Sequence, residues 1–471
     1  MAPVNQIPSE ILSLIPDFWD EYDDGKDRDL VTLTHVCRAW REVFISRSSL
    51  WINLDYVDED QARIYLERSK SLPVNLSLDT EDSLPSHHSF LKIIPHAIGR
   101  LKSLSIMAEA EVLEDITTHL PRSAPLLQEL SICRCYSDTQ HPLPVLAPTL
   151  FDGDLSSLRK LYLESIHTKL PWKNMVNLTS LNMYDTSQDG VCIRELLDFF
   201  ESAPRLREVS LHSATPTSGA QNGRLVSLAY LEQMGITGSG PATRLLDHLL
   251  IPVGARLTVA VDLPIKNHPP RFLDNLRNFP NFTDINLYIS EFYPSMQFSG
   301  PNGQVTMVPR SSRVDGTRLV LESLDNFDTS KVERLEIYCH DSPCSDPPYR
   351  MLLPMERLRT LTLYYCASPH IFVHALHPIV SSSGVVVCPE LEKLVIKLDP
   401  DRGTLDMKDI IGVAAARALR GAKLKSVKII GQCQPARADV WELEKYVLHV
   451  ECCDDIDEEG RGKEGGLYWV L

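Results

Sequence analysis

Few residues of this chain have the types and spacing that catalysis or metal binding requires. The histidines include one adjacent pair, His87 and His88, and adjacent residues on a regular element rarely ligate one metal ion. Cys133 and Cys135 lack the two-residue gap of a zinc knuckle. The sequence has neither a glycine-rich phosphate loop that ends in Gly-Lys nor a Gly-x-Ser-x-Gly nucleophile elbow. It therefore predicts no enzymatic activity, no metal site and no cofactor.

The composition disfavours several broad classes of protein. A hydrophobic content of 43% is typical of a folded globular chain, and no apolar run approaches the roughly 20 residues of a membrane span. The net charge of -16 disfavours nucleic acid as a partner, although it would attract a basic protein. The first residues lack the basic region and apolar core of a secretory signal, so we expect a cytoplasmic or nuclear protein with free thiols.

The best-defined elements lie in the first fifty residues. Ile7, Ile11, Leu14 and Ile15 recur at helical spacing, and Pro8 suits the first turn of a helix. The pattern returns on a second predicted helix, which Val43 and Phe44 extend, at positions Leu30, Leu33, Val36, Cys37 and Trp40. Helices this short bury little apolar surface, so they need a partner or a larger body to rest on. An ordinary helical cap of a larger domain is the simplest alternative.

The order of these residues resembles the F-box. The resemblance rests on Ile7-Pro8 with Glu10-Ile11-Leu12, on His35-Val36-Cys37-Arg38-Ala39-Trp40-Arg41, and on Ser49-Leu50-Trp51. In that family the motif binds a Skp-type adaptor and through it a cullin ubiquitin ligase. The resemblance implies that Trp51 anchors the junction with the rest of the chain. It also implies an adaptor-binding surface made of Ile7, Pro8, Ile11, Leu12, Ile15, Leu30, Val36, Cys37 and Trp40. The acidic connection at 20–29 is longer than the family's motif has.

A second pattern, Leu-x-x-Leu-x-Leu with conservative replacements, recurs through the body of the chain. Its units begin at Leu101, Leu127, Leu158, Leu178, Leu206, Phe282, Val332, Leu358, Leu391 and Leu424. Most neighbouring units begin about 20 to 33 residues apart, close to the repeat length of leucine-rich repeats. The last two apolar positions alternate with the two-residue period of a strand.

Prolines mark where these units begin. Pro125, Pro204, Pro280 and Pro389 each precede the first apolar position by two residues, and helix-like stretches such as 196–200 and 272–276 lie upstream. Proline ends a helix and favours extended backbone before it. The repeating unit is therefore helix, proline, strand. Near the end of the chain, Gly421 replaces the proline as the cap after a predicted helix at 410–419.

The body resembles the degenerate leucine-rich repeats found behind many F-boxes, especially in fungal F-box-like proteins. The resemblance implies an α/β fold: an N-terminal three-helix F-box followed by a leucine-rich-repeat-like solenoid with a curved parallel sheet. An irregular α/β domain with leucine-rich strands is the alternative. Segments 213–223 and 291–313 interrupt the array, the first as a loop and the second as a longer insertion. A closing strand at 446–450, with Trp441 packed on the last repeat, precedes an acidic tail at 454–459.

These patterns divide the chain into four predicted regions. They are an F-box-like domain at 1–52, a connecting segment and first cap at 53–95, the repeats at 96–432, and a C-terminal cap with the acidic tail at 433–471. By resemblance, the chain is the substrate-recognition adaptor of a Skp–cullin–F-box ubiquitin ligase. Its expected partners are a Skp-type adaptor, a cullin through that adaptor, and an unknown protein substrate, with no nucleic acid and no membrane. The alternative is a repeat scaffold that acts outside any ligase.

Overall fold

A computed structural model gives the fold of the chain over most of its length. It describes residues 7–15, 26–55, 59–80, 87–120, 123–135, 143–146, 150–153, 155–168, 175–185, 192–212, 224–238, 245–252, 254–262, 282–290, 294–301, 303–310, 320, 324, 327–339, 348–366, 368–378, 386–398, 405–431 and 435–453. The predicted helix at 272–276, Pro280, the loop at 213–223 and the acidic tail lie outside these residues.

Three helices open the described chain, and strands with fewer helices follow. The helices are α1 (Ser9–Leu14), α2 (Lys26–Val36), α3 (Arg38–Ser46), α4 (Glu59–Arg68), α5 (His87–Ala97), α6 (Ala110–His119), α7 (Ile193–Ser202), α8 (Tyr349–Leu352), α9 (Pro369–Ala375), α10 (Met407–Leu419) and α11 (Arg437–Glu444). Short 3-10 helices cover Ser48–Trp51, Ile98–Arg100, Leu150–Gly153 and Thr329–Lys331.

The strands, in chain order, are β1 (Asn53–Asp55), β2 (Val74–Asp79), β3 (Leu101–Ala108), β4 (Glu129–Arg134), β5 (Val145–Leu146), β6 (Lys160–Glu164), β7 (His167–Thr168), β8 (Ser180–Tyr184), β9 (Glu208–His212), β10 (Val226–Ser227), β11 (Gln233–Gly238), β12 (Leu249–Leu250), β13 (Arg256–Asp262), β14 (Asp284–Ile289), β15 (Ser295–Gly300), β16 (Gly303–Arg310), β17 (Arg334–Cys339), β18 (Thr360–Tyr364), β19 (Lys393–Lys397), β20 (Ser426–Ile430) and β21 (His449–Cys453).

The chain forms two compact units. The first contains Met1–Glu232 and His248–Ile251. Its strands pair side by side, all in parallel, in the order β1, β2, β3, β4, β6, β8, β9. Two further parallel pairs, β5 with β7 and β10 with β12, lie in the connections.

The second unit contains Gln233–Asp247 and Pro252–Leu471. Its strand order is β11, β13, β16, β15, β14, β17, β18, β19, β20, β21, and only β15 runs antiparallel to its neighbours. The described parts of both units therefore confirm the predicted α/β class with a mostly parallel sheet, which is open in each.

The predicted insertion at 291–313 contributes two strands to the second unit. β15 and β16 form an antiparallel hairpin, and β16 pairs in parallel with β13. Met296, Phe298, Val305 and Met307 alternate along these strands and are all at most 3% exposed. The alternating apolar residues thus build the predicted insertion into the sheet as two strands.

The recurring apolar positions form the core. All three positions of every predicted unit are buried, apart from the half-buried Phe282. Most of these strands start after a β-turn, such as the one closed by the Leu206 N–H donating to the Ala203 carbonyl at 3.3 Å. Pro125, Pro204 and Pro389 occupy the second position of such turns, which suits their fixed φ. The prolines therefore start strands by setting turns.

Backbone hydrogen bonds align the strand of one repeat with the strand of the next repeat. In the first unit, the N–H of Arg207 donates to the carbonyl of Thr179, and that of Thr179 donates to the carbonyl of Arg159, each at 2.8 Å. An equivalent bond of 2.8 Å joins Arg359 to Glu333 in the second unit. Because the bonded residues hold the same position in successive repeats, the strands of those repeats pair in register.

Chain direction changes abruptly where several strands end. Ser165, Asp185 and Tyr365 follow β6, β8 and β18 with φ of 53°, 46° and 50°, and Gly431 follows β20 with φ of 127°. The N–H of Gly431 donates to the carbonyl of Cys453 at 3.1 Å. The sheet edge therefore needs left-handed backbone at an equivalent position of several units.

A buried arginine links helix α10 to the turn that precedes β19. Arg417 of α10 has no exposed surface and donates to the carbonyls of Val387 and Cys388 at 2.6 and 2.7 Å. Desolvation lowers the pKa of its guanidinium. Gly421, with φ of 79°, then ends the helix as predicted. The two hydrogen bonds donated by Arg417 hold the turn that contains Pro389 in place.

The C-terminal prediction was partly wrong. Trp441 is 66% exposed rather than packed on the last repeat, and its ring lies 4.6 Å from the Lys445 ammonium. Leu443 and Val447 are buried instead, so they supply the apolar contact expected of the tryptophan. The closing strand is present, as β21, but begins later than the predicted 446–450.

Replacing Gly431 by alanine should destabilise the second unit. A Cβ there would lie 3.1 Å from the Leu398 Cβ, and φ of 127° is unfavourable for any side chain. We expect a loss of about 1–3 kcal/mol, measured as a lower urea midpoint of the full chain. Gly412→Ala is the control, because that exposed glycine in α10 has nothing within 4 Å and should gain about 0.5–1 kcal/mol. Equal midpoints for both variants would refute the role of the Gly431 conformation.

Candidate functional site

The N-terminal helices share a very small core. Leu12 of α1 packs with Trp40 and Phe44 of α3, and the rings of Trp40 and Phe44 meet edge to face at 5.7 Å. Five partly buried side chains surround this cluster, namely Ile15, Leu33, Cys37, Val43 and Leu50. So little buried surface contributes weakly to stability, and the helices depend on contacts with the rest of the unit.

The second predicted helix is two helices in the structure. Cys37 has extended backbone, with φ of -160° and ψ of 174°, and separates α2 from α3. The Thr34 hydroxyl donates to the Val31 carbonyl at 2.7 Å, and the Arg41 Nε donates to the Thr34 carbonyl at 2.9 Å. The Arg41 side chain therefore satisfies one of the last four carbonyls of α2, next to the break at Cys37.

Trp51 connects the helices to the strand body of the first unit. Its side chain is fully buried, and its indole Nε1 donates to the Phe44 carbonyl at 3.0 Å. On the other side it meets Tyr65 of α4 edge to face at 4.9 Å, and the Arg68 guanidinium lies 4.2 Å from its ring. One side chain thus contacts both α3 and α4.

The structure divides the residues that resemblance places at the adaptor. Four are interior: Leu12, Leu30, Trp40 and Trp51, at most 9% exposed. Ile15 and Cys37 are half-buried. The exposed ones are Ile7, Pro8, Ile11 and Val36.

Two further apolar side chains are exposed on the same helices. Leu14 is 45% and Val31 37% exposed. Leu14 follows Ile11 by three residues, so helical spacing alone places the two on one face. We call the set of Ile7, Ile11, Leu14, Val31 and Val36 the N-terminal apolar surface. Exposed apolar side chains mark a protein interface where they form one contiguous patch.

The sheet of the first unit presents a second candidate surface. Its polar positions carry aromatic rings: Tyr184 stacks on His212 at 4.4 Å, and Tyr162 lies 5.4 Å from Tyr184. The Tyr162 hydroxyl donates to the Glu164 carboxylate at 2.7 Å. Parallel register brings these groups together, since Glu164 pairs with Tyr184 and Tyr184 with His212.

Burial changes the pKa values of Tyr162, of Glu164 and of Cys133, which pairs with Glu164 in the sheet. It raises the pKa of Tyr162 to about 12 and that of Cys133 to about 11. It also raises the pKa of Glu164, to which the charge of Asp185 adds. At neutral pH the phenol and the thiol are therefore protonated, and the phenol acts as a hydrogen-bond donor.

The second unit carries a comparable row. Tyr288, Tyr338 and Tyr364 stack nearly parallel, with ring centroids 4.5 and 4.2 Å apart, and the Lys397 ammonium lies 4.7 Å from the Tyr364 ring. Burial raises the pKa of all three phenols and of the neighbouring Glu336. The row offers phenol and ring-edge contacts to a polypeptide.

The sequence analysis missed these rows, although a signal existed. Tyr184, Tyr288, Tyr338 and Tyr364 each directly follow the third apolar position of their unit. One position of a repeat that carries the same aromatic residue several times indicates a line of rings across the sheet, because equivalent residues pair in register.

The chain matches no protein-family model and no curated protein. Among the helices that the structure describes, none combines the length and the apolar sequence that crossing a bilayer requires. The N-terminal apolar surface and the aromatic rows of the two units are therefore characterised by their geometry and by the sequence motifs alone.

Replacing Glu164 by glutamine should stabilise the protein at neutral pH. A raised pKa means that the folded chain favours the protonated carboxyl, so its stabilising effect is present below the ordinary pKa of 4.5 and is lost as the pH rises. We expect a higher urea midpoint for the variant at pH 7 and no difference below about pH 4. Glu208→Gln, an exposed carboxylate of β9, is the control. A gain that is the same at both pH values would contradict this assignment.

Proposed function

We propose that the chain is a substrate-recognition subunit of a Skp–cullin–F-box ubiquitin ligase. The observation that carries the proposal is the N-terminal apolar surface, which lies on short helices whose own core contains three buried residues. Helices that keep Ile11 54% exposed, and whose shared cluster consists of Leu12, Trp40 and Phe44, are suited to docking. The F-box resemblance of the same residues identifies a Skp-type adaptor as the partner.

The energetics favour this surface for binding. Full burial of an isoleucine, leucine or valine side chain contributes about 1.5–3 kcal/mol. The five side chains of the surface are 36% to 54% exposed, so a partner that covers them would gain part of that amount at each. Their neighbours Leu12 and Trp40 hold the helices in place and contribute to binding only indirectly.

The sheet rows are the proposed substrate surface. Stacked tyrosines are ordered before binding, since each ring is held by its neighbour and by partial burial. Rigid aromatic groups bind protein partners at a small entropy cost, and they are enriched at interfaces. The function would then be proximity: holding a substrate beside the ligase raises the local concentration of its acceptor lysine.

Replacing Ile11 by aspartate should abolish capture of a purified Skp-type adaptor by the full chain. A carboxylate in an apolar interface loses the burial energy and is itself desolvated, so we expect at least about a tenfold loss of affinity. Val176→Asp is the matched control, since Val176 is similarly exposed, at 49%, outside the N-terminal helices. Binding by the wild type and both variants would be compared by surface plasmon resonance.

A second substitution separates docking from folding. Leu12→Ala should lower the urea midpoint by creating a cavity beside Trp40, at a cost of about 2–5 kcal/mol, whereas Ile11→Asp should leave it unchanged. If Ile11→Asp binds the adaptor like the wild type, the N-terminal apolar surface is not the docking site. If the adaptor binds but no cullin co-purifies, the chain is a scaffold outside a ligase, as the acidic connection at 20–29 would favour.

A further inference from the structure

One aspartate of the first unit lies between two imidazoles. The Asp115 carboxylate, on α6, has one oxygen 3.3 Å from His87 Nε2, at the start of α5. Its other oxygen lies 3.1 Å from Nδ1 of His119, one helical turn further along α6. The same Nδ1 lies 2.8 Å from the Asp115 backbone carbonyl, so the His119 ring lies directly beside the carboxylate.

A third potential ligand lies at the same place. The ring of His88 contacts that of His87, with centroids 4.1 Å apart. One ligand atom each from His87, His88 and Asp115 lies within 4.8 Å of the other two. Zinc bonds to nitrogen and oxygen are about 2.0–2.2 Å long, so ligands of one tetrahedral ion lie about 3.3–3.5 Å apart. The His87–Asp115 distance already has this value. Adjacent residues rarely share one ion, but here the rings of His87 and His88 are in contact, and a bound ion would draw the His88 nitrogen closer.

We propose that His87, His88 and Asp115 form a surface site for a divalent transition-metal ion of the zinc class, with His119 as a positioning residue. Two imidazoles and one carboxylate are the ligands that zinc and its neighbours prefer, whereas magnesium and calcium prefer oxygen alone. His87 and Asp115 are half-buried and His88 is exposed, so the ion has a solvent path and room for water.

The site would fasten the start of α5 to α6. An ion shared by the two helices replaces a single His87–Asp115 hydrogen bond with three bonds to a common centre. This inference is independent of the proposed ligase function, because none of its residues belongs to the N-terminal apolar surface or to the tyrosine rows.

Zinc titration of the metal-stripped full chain tests the proposal. Isothermal calorimetry with zinc chloride should find one more equivalent bound by the wild type than by a His87→Ala/His88→Ala variant or by Asp115→Asn. His96→Ala is the control, since His96 is an exposed histidine of the same helix. Zinc bound by cysteine thiols is common to all of these proteins and cancels in the comparison.

Two further readouts make the test decisive. His119→Ala should keep the site but weaken zinc binding about tenfold, as expected for a group that orients a ligand. Zinc should raise the melting temperature of the wild type and of His96→Ala, and leave that of Asp115→Asn unchanged. Equal zinc stoichiometry in wild type and Asp115→Asn, with both folded by circular dichroism, would overturn the proposal.

Discussion

In-register parallel pairing is the constraint on which the rest of each unit depends. Each residue pairs with the residue at the same position of the next repeat. The side-chain type at that position is therefore repeated in a row across the sheet. Leucines at one place become a buried row, and tyrosines at the neighbouring place become a stacked row. A register shift of one residue would exchange the two faces, burying Tyr184 and exposing Met183. Turn prolines and left-handed residues at the strand ends hold each strand against such a shift.

Much of the fold could be predicted from the sequence because it is periodic. The apolar triplets identified the buried rows, and Pro204 and Gly421 marked real turns and caps. Two fold features that were missed are not periodic. Among the described strands, antiparallel pairing occurs only where β15 lies between β14 and β16, and at the Cys37 break the Arg41 guanidinium reaches the Thr34 carbonyl, seven residues away.

The candidate surfaces were predictable to a smaller extent. Ile11 and Leu12 are adjacent apolar residues, and only the packing of α1 against α3 decides that Leu12 is buried and Ile11 exposed. Sequence spacing does not predict how a short helix such as α1 is rotated about its own axis, and this rotation decides which side chain faces α3. His88 and Asp115 are similarly unrelated in sequence, since they lie on different helices, and they meet only because α5 and α6 pack together.

The hairpin of the second unit has a consequence for folding kinetics. In the first unit, paired residues are close in sequence, as with Lys160 and Ser180, so a growing sheet closes only short loops. In the second unit, Asp284 of β14 pairs with Arg334 of β17, beyond the hairpin in sequence, and Arg256 of β13 pairs with Gln304 of the hairpin itself, so both contacts close longer loops. Closing a longer loop costs more chain entropy, and this cost is met before the contacts reward it. Nucleation in the second unit is therefore expected among β17 to β20, with the hairpin region joining last.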